Sequence, residues 1–457
     1  MSLGSQTLRL VEPNQRSLLL AARLESGAVQ DGHVAEAHHP APGPQERAAT
    51  QLGRQAIESR QKSFPGNPRS WLLILFVLSV LGTATAWVPA RWNEALISAC
   101  VCFLGVLAYW KWSQHRLLFL DPPSLILLGL ASWCWVRYLS RWTLDRYATL
   151  EEALAWTTHA LVFVIGSATL RDRRARHWLC TGLIWFSVFV AVSGLAQYYS
   201  AGGHIWWVFP SGYPDNLGFF VNRNHFAAFI ELALPLAAAR ALRGRMWPEA
   251  TATALLAGSA VASGSRAGAF LTLAELLAVG WLAWRGSTTK GPAGSRLVVL
   301  VGLSVLAASA AGTGLLWQRL RSWELTSWRV RIWASAVDMI RTRPWDGFGP
   351  GTWAFAYPAH AQFDPGALVH HAHDDWLEWA VECDVWFPLA FAAFVLMIVL
   401  RRAISPWHIG VISVALHAVV DYPLQNYGIS LWFMLLAAAS WRATERQRQG
   451  RVVPVSP

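Results

Sequence analysis

The chain has 457 residues, 54% hydrophobic and only 14% charged, with 28 Trp and a formal net charge of +11. A soluble globule carries about 25% charged residues. The charge deficit, together with apolar runs near 20 residues, points to a polytopic membrane protein and excludes a cytosolic enzyme, a secreted disulfide scaffold and a coiled coil. The basic excess is almost all arginine, 35 against 3 lysines. In a soluble chain it would suggest nucleic acid; here no nucleic-acid partner is expected, and the question is which membrane face each arginine occupies.

Residues 1–69 are rich in Gln, Glu, Arg, Ala, Pro and His, with no run of membrane length, and read as a disordered cytoplasmic tail. A transmembrane domain is expected over 70–442 and a short cytoplasmic tail over 443–457. Twelve spans are expected, near 71–89, 93–110, 122–139, 151–170, 177–199, 224–242, 249–264, 267–284, 297–316, 380–400, 407–422 and 427–441. The five cysteines lie in or beside these runs without zinc or disulfide spacing and read as small buried apolar residues.

With the N-terminus inside, the inner loops and C-terminal tail carry 18 Lys and Arg, and the N-terminal tail 8 more. The outer side carries 12, of which 6 lie in one long loop. The short-loop bias of 18 to 6 places both termini in the cytoplasm. That long outer loop, 317–379, joins spans nine and ten and holds eight Trp, too many for a disordered segment. The aromatic residues of this loop and of 200–223 also suit a membrane interface.

The outer face collects the unusual polar residues. Asn222-Arg223-Asn224-His225 opens span six, and Ser263-Gly264-Ser265-Arg266 turns between spans seven and eight. Trp328 to Trp333, containing Arg329 and Arg331, begins an amphipathic helix with Ile332, Ala336 and Met339/Ile340 on one apolar face, ended at Arg341-Thr-Arg343-Pro344. The glycines 347, 349 and 351 lack the Gly-Lys-Ser/Thr of a nucleotide loop and read as a turn folding the loop over the site, with phosphate contact by their amides as the alternative. His370-His371-Ala-His373-Asp374-Asp375 precedes an apolar helix, with Asp374 or Asp375 as its N-cap. His417 and Asp421, four apart, share one face at the end of span eleven. Glu231 and Glu275, within spans six and eight, must face the bundle interior. His159, mid-span, reads as a satisfied interior histidine.

These residues resemble the O-antigen ligase and O-antigen polymerase family of bacterial membrane glycosyltransferases. The resemblance rests on Arg223-Asn-His225-Phe-Ala, Ser265-Arg266-Ala-Gly268, Arg329-x-x-x-Trp333, Pro344-x-x-Gly347-x-Gly349-x-Gly351, His371-x-His373-Asp374-Asp375-x-Leu377-x-x-x-x-Glu382 and His417-x-x-x-Asp421-x-Pro423, in family order over roughly residues 200–425. The family commonly has Asn where this chain has Asp374. The resemblance implies an all-α, GT-C-like enzyme of the bacterial inner membrane with its long loop and active site on the periplasmic face. It implies transfer of a glycan from an undecaprenyl-pyrophosphate carrier to an acceptor hydroxyl, with no cofactor and no metal. The acceptor would be a saccharide, a lipid-linked glycan or a protein side chain, so a ligase, a repeat-unit polymerase and a protein O-glycosyltransferase all fit.

The physical chemistry agrees. Breaking a sugar–pyrophosphate bond builds negative charge on an already anionic leaving group. Arginine stays charged and presents a planar fork to phosphate oxygens, which makes Arg223, Arg266 and Arg329 the candidate donor-binding cations and Arg331 a second choice. Anchoring at lipid headgroups is the competing role. Histidine, with a free pKa of about 6.5, suits removal of the acceptor proton. The resemblance selects His373 as the base, with His371 as runner-up or support and Asp374 as the carboxylate orienting the ring. Asn224, His225, His417 and Asp421 are expected to support the site. A metal site at His371, His373 and the adjacent acids is the competing chemistry. From other classes, a lipid-linked glycan transporter would show polar residues through the bilayer depth and repeated halves, and a non-catalytic assembly factor would have a decayed site.

Overall fold

The computed structural model describes residues 68–88, 91–114, 120–213, 216–243, 246–285, 293–321, 324–363, 366–400 and 404–449. Most of the two expected tails lies outside the described residues. So do Arg116, Arg245, Lys290, Arg401 and Arg402 of the orientation count.

The described chain is nearly all helix. In order come α1 Pro68–Ala84, α2 Trp92–Gln114, α3 Pro122–Leu139, α4 Arg146–Thr169 and α5 Arg173–Ser200. A two-residue antiparallel hairpin, β1 His204–Ile205 and β2 Phe209–Pro210, follows. Then come α6 Arg223–Arg243, α7 Met246–Ala262, α8 Arg266–Arg285 and α9 Ala293–Ala311. The expected loop 317–379 is largely helical: α10 Gly314–Arg321 begins within the expected span 297–316, α11 Glu324–Thr342 and the single turn α12 Trp353–Ala356 follow, and α13 Asp375–Glu382 runs past its expected end. The chain closes with α14 Trp386–Val399, α15 Pro406–His417 and α16 Tyr427–Gln449.

Among the described residues, five helices are long and apolar enough to cross a membrane: 92–113 in α2, then α5, α6, α8, and 294–311 in α9. This is a polytopic helical membrane protein. The expected spans at 380–400 and 407–422 do not hold as drawn. The first is broken after Glu382, where Asp384 takes φ +151° and its carboxylate accepts the amides of Trp386 at 2.8 Å and Phe387 at 3.0 Å to start α14 anew. The second ends at His417. At 1.5 Å per residue α15 rises about 18 Å, short of a hydrocarbon core of roughly 30 Å. At the other end, α16 continues past 442 to Gln449.

α6 is the central helix. Its side chains from His225 to Leu242 are almost all buried, and α5, α7, α8, α15 and α16 pack around it. A helix apolar on every side belongs inside a bundle. Its small residues let neighbours come close: a Cβ added at Gly268 of α8 would lie 2.4 Å from Ala227 Cβ. Arg223 and Arg266 therefore open two helices that start side by side. By contrast, α1, α2 and α5 each turn large apolar side chains outward, including Ile74, Phe103 and Phe189, as lipid-facing helices do. Of the cysteines, Cys134, Cys180 and Cys383 are buried as expected, whereas Cys100 is exposed.

The segment between α9 and α14 has a small core of its own. Ile332, Ala336 and Met339 from α11 pack with Phe348, Trp353, Tyr357 and Val381, the apolar face read from the sequence. The glycine turn straps this core to the bundle. Phe348 N and Gly349 N donate to Val381 O and Glu382 O, Leu144 N donates to Phe348 O, and the Glu382 carboxylate accepts Gly351 N at 3.0 Å and Trp353 N at 2.7 Å. These amides are committed to the fold, which argues for the turn over phosphate contact. Gly349 sits at φ +120°, where an added Cβ would lie 2.0 Å from Thr143 Oγ1. We expect Gly349→Ala to cost about 1–3 kcal/mol in thermal unfolding of detergent-solubilised protein. Gly302→Ala in α9, where a Cβ meets nothing within 4 Å, should be neutral or gain up to about 1 kcal/mol.

Candidate active site

The site is organised around a turn, residues 418–424, between α15 and α16. Three elements converge on it. From α13, Asp375 N donates to Ala418 O at 2.9 Å, and the Asp375 carboxylate accepts Leu424 N at 3.0 Å. From α11, the Arg329 guanidinium donates to Val420 O and, at 3.2 Å, to Asp421 Oδ2. From α6, Asn224 Nδ2 donates to the same Oδ2.

Asp421 is fully buried, and a buried carboxylate is tolerated only when paired and hydrogen-bonded. Its Oδ1 accepts Tyr422 N at 3.0 Å and lies 3.3 Å from His373 Nδ1. Burial opposes its ionisation. The His373 hydrogen bond and the Arg329 charge outweigh that and hold its carboxyl below the usual carboxylate range. An ionised carboxylate only accepts, so the Asp421 contact places a proton on His373 Nδ1 and leaves Nε2 as the ring nitrogen not engaged by Asp421. His373 itself sits at φ +54°. This left-handed conformation is strained for a residue with a Cβ and recurs at functional positions.

His371 forms a second dyad. Its Nδ1 lies 2.8 Å from Glu378 Oε1, while Glu378 Oε2 accepts Ala372 N at 2.7 Å. The rings of His371, His373 and His225 surround Tyr422, with His371 stacked on it at 4.2 Å between centroids. Trp333 Nε1 donates to Ala372 O at 3.1 Å, pinning the histidine loop to α11.

Several expected residues land elsewhere. Asp374 does not orient His373. Its carboxylate accepts Leu377 N at 3.0 Å and caps α13, and Asp421 takes the orienting position. His417 stays one turn below Asp421, whose N donates to His417 O at 3.0 Å, but its ring turns inward to Glu231, 2.8 Å away, with both residues buried. That pairing supplies the partner Glu231 needs in the bundle. Arg331 points away from Asp421 and packs over the Phe363 ring at 4.3 Å. Arg223 opens α6 behind an Asn222 cap, whose Oδ1 accepts Asn224 N at 2.9 Å. Arg266 opens α8 behind Ser265, whose Oγ accepts Gly268 N at 3.1 Å. No hydrogen bond or ion pair engages the Arg266 guanidinium among the described residues. With two helix N-termini beside them, these arginines make a place suited to an anion. His371, His373 and His417 each have their own carboxylate partner, and among the described residues no group of three or more His, Cys, Asp or Glu is arranged to hold a metal ion.

Sequence reading missed Glu378 and Tyr422, although both lie inside the quoted motifs. It also missed a cavity of about 160 Å³ behind His371, lined in part by Arg91 just before α2, Glu94 in α2, and Glu151 and Glu152 in α4. The first half of the chain carries no motif that flags it.

Fold and site together define a helical membrane protein with paired histidine–carboxylate dyads and clustered arginines at one end of its bundle. Residues 251–383 match the family described as O-Antigen ligase. This supports the O-antigen ligase and polymerase family and a membrane enzyme of polysaccharide assembly. The match contains Arg266, Arg329, His371 and His373, whereas Arg223, Asn224 and Asp421 lie outside it. No curated protein matches the chain.

Burial pushes Asp374 up to about 6 from an ordinary 3.8, against the hydrogen bonds of the Leu377 and Trp376 amides. Between these values the folded state binds the proton more tightly than the unfolded chain, so stability falls as pH rises through the window. Asn caps a helix as well as Asp. We therefore expect Asp374→Asn to keep the fold and lose this slope. Unfolding followed from about pH 4 to pH 7 checks it; equal slopes for the two proteins would contradict it.

Proposed function

We propose that this protein is a ligase-like glycosyltransferase of the bacterial inner membrane. It moves a glycan from undecaprenyl pyrophosphate to an acceptor hydroxyl at the periplasmic face, without a metal, in cell-surface polysaccharide assembly. Both termini are cytoplasmic in this reading. The observation that carries it is the convergence of His373 and Arg329 on the buried Asp421, beside the helix starts that bear Arg223 and Arg266.

The acceptor oxygen attacks the anomeric carbon and forms the new glycosidic bond. The bond from that carbon to the pyrophosphate oxygen breaks, and its electron pair leaves with undecaprenyl pyrophosphate. His373 Nε2 takes the acceptor proton, while Asp421 holds the ring and offsets the charge of the imidazolium. Arg266 and Arg223 meet the developing charge of the leaving group. Arg329 is bound to Asp421, so its main task is to hold that carboxylate in place. Partner molecules are thus the lipid-pyrophosphate donor, an acceptor hydroxyl and the surrounding lipids.

Purified protein given an undecaprenyl-pyrophosphate glycan and a saccharide acceptor should release undecaprenyl pyrophosphate, and EDTA should leave the rate unchanged. His373→Ala should lower turnover roughly 100-fold or more while keeping donor binding. Arg266→Ala should cost roughly 100-fold through donor binding or turnover. Wild-type turnover by His373→Ala, or activity lost to EDTA and restored by metal, would overturn the mechanism.

A further inference from the structure

Glu378 is a buried carboxylate to which the mechanism above gives no task. It is 2% exposed and stands in the first turn of α13. A carboxylate there suits a helix start by charge alone. Yet both of its oxygens turn back to the loop before the helix. Oε1 lies 2.8 Å from His371 Nδ1, and Oε2 accepts Ala372 N at 2.7 Å.

Ala372 is the fully buried spacer between the two histidines. Glu378 of α13 holds its amide, and Trp333 Nε1 of α11 donates to its carbonyl at 3.1 Å. The residue is therefore gripped from two helices at once. That grip bears directly on His373. The Ala372 carbonyl carbon is one of the four atoms that define the His373 φ, which stands at +54°. Such strain persists only where the surroundings over-determine it. The ring of His373 is equally dependent on its backbone. Its Nδ1 is 3.3 Å from Asp421 Oδ1, at the long end of a hydrogen bond, so a small displacement of the loop would break the contact. The other half of the grip is braced as well. The His371 ring stacks on Tyr422 at 4.2 Å, and Tyr422 N donates to Asp421 Oδ1 at 3.0 Å.

We propose that Glu378 is a positioning residue which, together with Trp333, grips Ala372 and so sets the approach of His373 to Asp421 and to the acceptor hydroxyl. The inference rests on the transfer reaction proposed above and adds a residue to its machinery. Hydrogen-bond geometry carries the effect, and the charge of Glu378 does not. Gln has the same shape; its amide oxygen can accept Ala372 N while its NH2 donates to His371 Nδ1. Met fills the same space and makes neither bond.

The test has a kinetic arm and an arm that does not depend on transfer. A misplaced reacting group costs roughly 100-fold for a shift of about 1 Å. Glu378→Met should therefore lower kcat roughly 30-fold or more, with donor KM within about two-fold of wild type. Glu378→Gln should keep kcat within about five-fold. Trp333→Phe keeps a ring in place and loses only the donor to Ala372 O; it should lower kcat roughly ten-fold, again with donor KM unchanged. In the second arm, isotope-labelled histidine NMR spectra are taken of full-length protein in nanodiscs without donor or acceptor. The His373 signal is assigned by its loss in His373→Ala. Its Asp421-bound Nδ1–H should be present in wild type and Glu378→Gln, and lost in Glu378→Met and Trp333→Phe. Failure of the wild type to release undecaprenyl pyrophosphate, with that signal still lost in Glu378→Met, would sink the transfer reaction and keep the positioning role. Wild-type kcat or an unchanged His373 signal in Glu378→Met or Trp333→Phe would overturn the positioning role. So would a Glu378→Gln protein as slow as Glu378→Met.

Discussion

A carboxylate without solvent must be surrounded by donors, and Asp421 is such a carboxylate. Its four partners come from four separate stretches of chain: Asn224 at the start of α6, Arg329 in α11, His373 before α13, and the amide of Tyr422 beside it. Removing one partner would leave a buried charge under-compensated, at a cost of several kcal/mol. This one requirement ties the folded segment between α9 and α14 to the bundle. It also sets the tautomer of His373 and holds Arg329 within reach of the same centre. The proposed catalytic geometry and the tertiary docking are therefore consequences of the same interaction.

The surrounding structure reinforces the turn that carries Asp421. Asp375 clasps it from the first turn of α13, and Glu382 at the end of that helix clamps the glycine strap. One short helix thus joins two loops that are far apart in sequence. His417 and Glu231 pair below the turn, in the apolar interior, so the polar centre continues a short way into the bundle. The arginines that open α6 and α8 sit above this pair.

Much of this could be read from residue order. The amphipathic face of α11 follows from Ile332, Ala336 and Met339 at helical spacing, and its end follows from Arg343-Pro344. The helix starts at Arg223 and Arg266 follow from the polar runs before them. What could not be read was partner choice. Asp374 adjoins His373 in sequence, yet an extended residue at an N-cap turns its carboxylate to the helix amides, leaving His373 to a residue 48 positions away. His417 and Asp421 have helical spacing and stay one turn apart, but spacing does not tell that the His417 ring takes Glu231 as its partner. Span boundaries failed at Cys383–Val385 because hydropathy does not register a helix restart capped by Asp384. The cavity behind His371 draws on segments far apart in sequence, and no local pattern encodes such a convergence.

The claim that Asp421 orients the reacting histidine is tested most directly by donor release from Asp421→Asn, measured with saturating donor and acceptor. Asn keeps the shape and one acceptor oxygen but removes the charge that favours the imidazolium and balances Arg329. The account predicts a turnover drop of roughly 100-fold or more, with donor binding retained. Turnover within about two-fold of wild type, from a protein that elutes as a single species, would contradict it.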